Sequence, residues 1–495
     1  MSTSKTTAVD TPSTSDGTSS GPVTKVLSGW GRTSPSVARL HTPSSSDDVA
    51  RLVRAAGERG LIARGLGRSY GDAAQNGGGE VVDMTGCDRI VDIDLREATV
   101  TVESGISLDR LMRTLVPLGL WPAVSPGTRY VTVGGAIGSD VHGKGHHSDG
   151  TFCSHVRSMD LYSPGLGRLT LTPDGTPEEF WATAGGMGLT GIVERATLEL
   201  LRIETSSVRV DSQRTADLDS TMAVMSERDS RYRYSVAWID CLARGASLGR
   251  SIVEFGDHAS LDDLPARDRS PERSLRFGSS RQLAAPPWVP SGLLNRWSVA
   301  AFNEMWYRKA PARSSGHVVD ASSFFHPLDA VDGWNRIYGR RGFLQYQFVL
   351  PYEQSDVLRA VIERLVKARA ASFLAVLKRF GPSNPAPLSF PREGWTLALD
   401  LPVSFAGLDG ELDELDELIA GAGGRVYLAK DSRLRPDLLE AMYPRLGEWR
   451  DVRERLDPQG LMRSDLTRRL PALARHATTH PPALTPGFPL QSEEQ

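Results

Sequence analysis

Two glycine clusters constrain this chain more than any other feature: "RGLGRSYGDAAQNGGG" at 64–79 and "VTVGGAIGSDVHGKGHHSDG" at 131–150. Glycine permits positive φ and lets a ligand approach the backbone, so that N–H groups face phosphate oxygens. Two backbone-exposing stretches so close together point to something flat or phosphorylated held between them. Alone, the first cluster reads equally well as a tight strand-to-helix turn. It is not a Rossmann fingerprint: G-x-G-x-x-G requires a third glycine where Tyr70 follows Gly65 and Gly67, and Gly71 comes one residue late. A Walker A loop is absent as well.

The pattern around the clusters is α+β. Short strands are expected at 61–67, 80–85, 89–95 and 99–105, where apolar residues alternate. A helix follows at 107–119 behind a Ser107 N-cap, then a hairpin at 158–173. Residues 177–201 read as a helix, a glycine-rich turn and a long strand. From about Ile203 the character changes to strands at 233–242, 342–351, 372–381 and 395–403, separated by helices such as 355–370. That is the pattern of an antiparallel sheet. A strand "RVYLA" precedes Lys430, a helical tail runs to about Arg469, and 258–300 reads as loop.

With 495 residues the chain exceeds one core and predicts two large domains or an interleaved pair. The expected division is a Ser/Thr-rich tail (1–26), a first domain (27–203), a second (204–424), a C-terminal segment returning to the first (425–470) and a second tail (471–495). A formal charge of −3 gives no reason to expect nucleic-acid binding. Cys87, Cys153 and Cys241 form no CxxC pair, which fits neither a disulfide framework nor a zinc site. No apolar run reaches the roughly 18 residues of a membrane span, and the N-terminus lacks the apolar core of a secretory signal. His142 and His146 are four apart, but no acidic or cysteine partner has ligand spacing and Gly143 and Gly145 argue against a helix, so no metal is expected.

Three motifs in order resemble the FAD-binding domain of the vanillyl-alcohol oxidase/PCMH superfamily. They are the first glycine loop, the string Pro126, Gly127, Thr128, Thr132, Val133, Gly134, Gly135, Ile137, His142, Gly143, and the turn Gly185, Gly186, Gly188, Gly191, Ile192, Val193. The resemblance implies a two-domain fold whose substrate domain is built on an antiparallel sheet. It implies FAD held by Ala63, Arg64, Gly65, Leu66, Gly67, Arg68, Ser69, Tyr70, Gly71 and Asp72, and by Gly127, Thr132, Val133, Gly134, Gly135, Ser139, Asp140, Val141 and His142. Val193 and Tyr427 complete that set. Relatives with covalent FAD carry histidine where Arg68 stands, so the implied flavin is non-covalent.

A narrower resemblance covers nearly the whole folded body. "GWGRT", "ARGLGRSYGD", "HGKGHHSDG", "HPLD", "GFLQYQFV", "KRFGPSNPAPLSFP", "AKDSR" and "MYPR" are similar to the flavin oxidases of decaprenylphosphoryl-β-D-ribose. In that family a ribose 2′-hydroxyl is oxidised to a ketone, and an NADH-dependent keto-reductase partner then returns an arabinose donor for arabinan. The resemblance implies a polyprenyl-phosphate sugar substrate and peripheral contact with the cytoplasmic membrane, on a face left undecided.

Pattern alone makes Lys430 a solvated strand-end lysine; the resemblance makes it the active-site lysine, with His142 and Tyr70 beside the flavin. Lys378 and Phe380 alternate onto one sheet face, as do Gln345 and Gln347, with Leu344, Tyr346 and Phe348 on the other. The resemblance places Lys378, Phe380, Gln347 and Trp238 in the sugar pocket. It also brings departures: Phe325 stands for a pocket tyrosine, and Thr396 and Ala398 replace an Asn-x-Cys pair. These leave open a sugar-alcohol or aldonolactone oxidase with a small soluble substrate. "LAAPPWVPSGLLNRW" (283–297), with Trp288, Val289, Leu293, Leu294 and Trp297, is expected either to fold onto the core or to act as a lid that touches the bilayer.

Overall fold

The structure is a computed structural model that describes residues 21–278, 283–284, 296–368, 372, 374–404 and 407–474. Three main sheets carry the fold, and the protein is α+β. The first has the order β1 (Val23–Leu27), β2 (Ser36–His41), β4 (Glu80–Asp83), β3 (Leu61–Arg64). β4 runs parallel to both neighbours, and its Val81 and Val82 are fully buried, as a strand covered on both faces requires. The second sheet is antiparallel, in the order β5 (Ile90–Asp94), β6 (Thr99–Glu103), β10 (Ile192–Arg202), β8 (Val156–Ser163), β9 (Gly167–Leu171). β7 (Leu120–Pro122) pairs with the far end of β10.

The third sheet is wholly antiparallel. Its order is β15 (Arg313–Asp320), β11 (Ser207–Thr215), β13 (Ser251–His258), β12 (Tyr234–Ile239), β18 (Ala375–Phe380), β19 (Gly394–Pro402), β17 (Phe343–Leu350), β20 (Arg425–Val426). A short parallel pair, β14 (Leu283–Ala284) with β16 (Val331–Asp332), lies outside it. Register on the central strands sets Gln347 opposite Ala398 and Gln345 opposite Asp400, with Lys378 opposite Thr396. The two glutamines therefore share a face. Tyr346, on the other face, reaches Asp416 of the helix Leu408–Gly421 with its hydroxyl.

The C-terminal segment turns back to the first sheet. Leu61 donates to the Leu461 carbonyl and Arg463 donates to that of Leu61. Arg453, 4% exposed, spends its guanidinium on the carbonyls of Leu189, Met462 and Leu473.

Four local expectations need correction. The expected first tail already contains β1, because Val23–Leu27 pairs along its whole length with β2. The 258–300 stretch holds helical turns at Leu261–Asp263, Ala266–Asp268 and Pro271–Ser274, and its end opens a helix at Arg296–Lys309. A short helix at His146–Asp149 forms despite the flanking glycines, with Asp149 anchored by Arg233. Only Arg425–Val426 of the expected "RVYLA" strand is strand. Beyond it the amides of Lys430 and Asp431 fold back on the Tyr427 carbonyl while Ala429 accepts from Tyr70, so the chain leaves the ladder to brace the glycine loop.

Candidate active site

The glycine loop follows β3 directly and is held open by its own neighbours. Arg64 donates to the carbonyls of Ala74 and Ser28, and the Trp30 and Gly31 amides donate to Ser69 and Tyr70. Gly67 has φ +64°, a conformation other residues adopt at a cost. A methyl group on Gly65 would lie 2.1 Å from the Thr132 hydroxyl oxygen, so this approach of the two glycine clusters admits no side chain. Thr132 in turn N-caps the helix Val133–Gly138, its hydroxyl accepting from the Gly135 amide.

Between the clusters and the third sheet lies a cavity of about 1020 Å³. The cofactor candidates Ala63, Arg64, Gly65, Leu66, Gly67, Arg68, Ser69, Tyr70, Gly127, Thr132, Gly134, Gly135, Ser139, Val141, His142, Val193 and Tyr427 all line it. Gly71, Asp72, Val133 and Asp140 do not; they stand one layer behind. Gly71 abuts the Asp431 carbonyl, Asp72 pairs with Arg469, and Val133 is core. Asp140 accepts from Cys153, Asn384 and Ser389 at a φ of 38°, fixing the bend before His142. The amides of residues 65–69 donate no hydrogen bond among the described residues, and the buried Ser104 hydroxyl on the cavity wall likewise has no partner. Unpaired amides on residues that line a cavity fit a pyrophosphate-bearing cofactor. Arg68 lies flat on the Trp30 ring, 3.9 Å from its centroid.

On the opposite wall the third sheet contributes Gln345, Gln347, Lys378, Ala398 and Trp238, with Phe325 and Lys430 beside them. The turn after β20 places the Lys430 ammonium 5.6 Å from the Tyr70 ring centroid and 6.0 Å from that of Tyr427. Desolvation brings Lys430 down to about 8, with the charge of Asp400 opposing. Desolvation, then the charges of Lys430 and Lys144, brings Lys378 down to about 7. Both lysines are half-buried in the wall, so a cavity filled by cofactor and substrate would desolvate them further.

His142 packs among Phe380, Phe390 and Tyr427 with ring centroids 4.8–5.5 Å away. Burial first, then Lys378 and Lys430, holds it well below the usual imidazole range, so it is neutral. Its Nε2 accepts from the Gln347 amide at 3.0 Å, which leaves the proton on Nδ1, unpartnered among the described residues. Among the described residues no group of three His, Cys, Asp or Glu could hold an ion.

Two substrate candidates stand back from the cavity. Phe380 backs His142 and His146, while Thr396 is fully buried and supports Gln347 from behind, donating to the Phe348 carbonyl. Phe325 belongs to an aromatic cluster with Trp121, Tyr234, His258 and Phe324. Trp288, Val289, Leu293 and Leu294 lie outside the described residues; Trp297 is exposed at the start of its helix.

Sequence reasoning missed several residues in the wall and behind it. Lys144, inside the second glycine cluster, lies over the Phe324 ring at 4.0 Å. Asp400 continues the alternation Thr396, Ala398 along β19 and was legible by that period. A clasp between the halves had no local signal. Ser125 bonds His326 at 2.7 Å, Asp329 accepts from the Thr128 hydroxyl and the Arg129 amide, and Arg129 reaches Ser322.

A flavin-sized cavity with an amide-lined loop on one wall and two lysines on the other defines an FAD-dependent oxidoreductase acting on CH–OH groups, and comparisons with known proteins agree. A model described as the FAD binding domain matches residues 37–171, and one described as D-arabinono-1,4-lactone oxidase matches 412–470. The decaprenylphosphoryl-beta-D-ribose oxidase of Mycolicibacterium smegmatis is 46% identical over 456 residues, covering 91% of this chain and 98% of that one. An uncharacterized Streptomyces coelicolor protein is 41% identical over 375 residues, 74% of this chain and 100% of its own. The L-gulono-1,4-lactone dehydrogenase of Mycobacterium tuberculosis is 24% identical over 447 residues, 86% and 94% of the two chains. The chain belongs to the decaprenylphosphoryl-β-D-ribose oxidase family.

Proposed function

We propose that this protein oxidises the 2′-hydroxyl of a polyprenyl-phosphoryl-β-D-ribose to the 2′-ketone, the first half of an epimerisation to the arabinose donor for cell-wall arabinan. The observation that carries this reading is the convergence of Lys430, Lys378, His142 and Gln347 on one wall of the FAD cavity. Bound FAD supplies the acceptor for the two electrons and the hydrogen that leave the carbinol carbon. Lys430, near neutrality by desolvation, takes the hydroxyl proton on Nζ as the carbonyl forms. Lys378 and the Gln347 amide orient the sugar. His142, neutral and held by Gln347, presents a polar Nδ1–H without adding a third positive charge.

The ketone then passes to an NADH-dependent keto-reductase, and the FAD is bound without a covalent link because Arg68, stacked on Trp30, offers no imidazole. Among the described residues no helix is long and apolar enough to cross a membrane. A polyprenyl-phosphate substrate resides in a bilayer, so the proposed reaction implies peripheral contact with the cytoplasmic membrane. The match of residues 412–470 to D-arabinono-1,4-lactone oxidase favours a second reading, a small soluble lactone or sugar alcohol as substrate. Anaerobic mixing decides between them. Polyprenyl-phosphoryl ribose should bleach the flavin far more efficiently than ribose 1-phosphate or an aldonolactone, since each buried methylene adds about 0.8 kcal/mol to binding. Equal bleaching by a water-soluble sugar would give the assignment to the second reading.

A further inference from the structure

Asp400 has no part in the reaction described above, yet it is a fully buried acid one hydrogen bond from Gln345 of the cavity wall. It sits on β19 with 0% exposure, directly opposite Gln345. One carboxylate oxygen accepts from the Gln345 amide at 2.6 Å, the other from the Tyr338 hydroxyl at 3.1 Å. The same Gln345 amide donates to the Tyr70 hydroxyl at 3.1 Å. With its oxygen occupied as an acceptor, Tyr70 keeps its own O–H free to donate elsewhere in the cavity that its ring lines.

A buried carboxylate persists only with a counter-charge or with enough donors. Asp400 has two neutral donors and makes no ion pair within 4 Å among the described residues. The titratable groups that face it are Tyr338 from the turn before β17, Tyr70 from the glycine loop and Lys430 from the turn after β20; Lys430 in turn lowers Lys378 on β18. Only Lys430 among those facing it is a cation. Burial raises the Asp400 carboxyl to about 7, with Gln345, Lys430 and Tyr338 opposing, and Asp400 reciprocally raises Lys430.

We infer that Asp400 is a positioning residue: it fixes Gln345 as the donor to Tyr70, whose ring lies 5.6 Å from the Lys430 ammonium, and so places a carboxylate behind Lys430 as its counter-charge. Lys430 and Asp400 then titrate as a pair, and neither can be tuned alone. This rests on Lys430 being the proton acceptor of the reaction proposed above only for its catalytic meaning, not for its charge.

Competitive labelling of the FAD-loaded protein with acetic anhydride, read by peptide mass spectrometry across pH, reports the midpoint of Lys430 with no substrate present. In Asp400→Asn the midpoint should fall to a pH about one unit lower, the size expected for loss of an opposite charge. Tyr338→Phe removes a donor that favours the carboxylate, so it should move the midpoint the same way by less, and it keeps the inference testable should Asp400→Asn fail to fold. An unmoved midpoint in folded, FAD-loaded variants would overturn the inference and leave Asp400 a packing residue. If polyprenyl-phosphoryl ribose fails to bleach the wild-type flavin, the proposed substrate falls while the labelling result stands.

Discussion

The two walls of the cavity are built from different materials. On the first-half wall the chemistry lies in the backbone: amides of residues 65–69, a positive-φ Gly67 and a Gly65 that tolerates no Cβ. On the third-sheet wall it lies in side chains set by strand alternation, Gln345 and Gln347 on β17, Lys378 on β18 and Ala398 on β19. A backbone wall serves any ligand with a pyrophosphate and says little about substrate. A side-chain wall can be retuned one residue at a time, and it includes Phe325 and Ala398, two positions where the family resemblance implies a departure. Binding and turnover should therefore separate by wall.

The sharpest way to break that division is Lys430→Ala. It should keep FAD yet slow substrate-driven flavin reduction by at least about a hundredfold, the usual size for a general acid–base group. Stopped-flow at saturating substrate checks it, and near-normal reduction would return Lys430 to a passive place in the wall. The converse test is Gly65→Ala, whose Cβ would meet Thr132. FAD affinity should fall more than about tenfold by fluorescence titration, while molecules that retain FAD react at the normal rate. If turnover fell with occupancy unchanged, the backbone wall would be doing more than holding cofactor.

Smaller effects sharpen the comparison. A lysine that accepts a proton must be neutral, and lysine loses its proton as pH rises. With Lys430 at about 8, single-turnover reduction should rise about tenfold between pH 7 and pH 9 and then level off. A rate that falls over that interval would make the ammonium, not the amine, the working form. Lys378→Met should raise KM about tenfold with less change in kcat, as expected for a residue that binds ground and transition states alike. The smallest expected effect is Phe325→Tyr, within about threefold on kcat/KM, because Phe325 is embedded in an aromatic cluster that fixes its ring.

How much of this was legible follows from how local each signal is. The glycine loops and period-two strands declare themselves within ten residues, so the amide-lined wall and the pairing faces of Gln345 and Gln347 were readable. Lys430 was readable only through family likeness, because its turn forms when Ala429 hydrogen-bonds to Tyr70, 359 positions earlier in the chain. Phe380 and Thr396 were placed on the right face but one layer too far forward, since alternation gives a side chain's face and not its depth. Asp400 was not singled out, because a strand-end acid carries no signal of its own and its place depends on Tyr338 and Gln345 closing on it. The Ser125–His326 and Thr128–Asp329 contacts join residues 201 apart, and nothing in either segment announces the other.

Those last contacts couple the two halves. The segment that bears Gly127 on the cavity wall is tied through Asp329 and His326 to the half that carries the third sheet, and Arg129 is buried between them with 2% exposure. Free energy that FAD gives the first wall should then stabilise the second as well. Each tenfold excess of free FAD over its dissociation constant adds about 1.4 kcal/mol to that shared stability. Heating should therefore show a single, cofactor-dependent transition, and the lysine-bearing sheet would owe part of its heat resistance to a molecule its own strands do not hold.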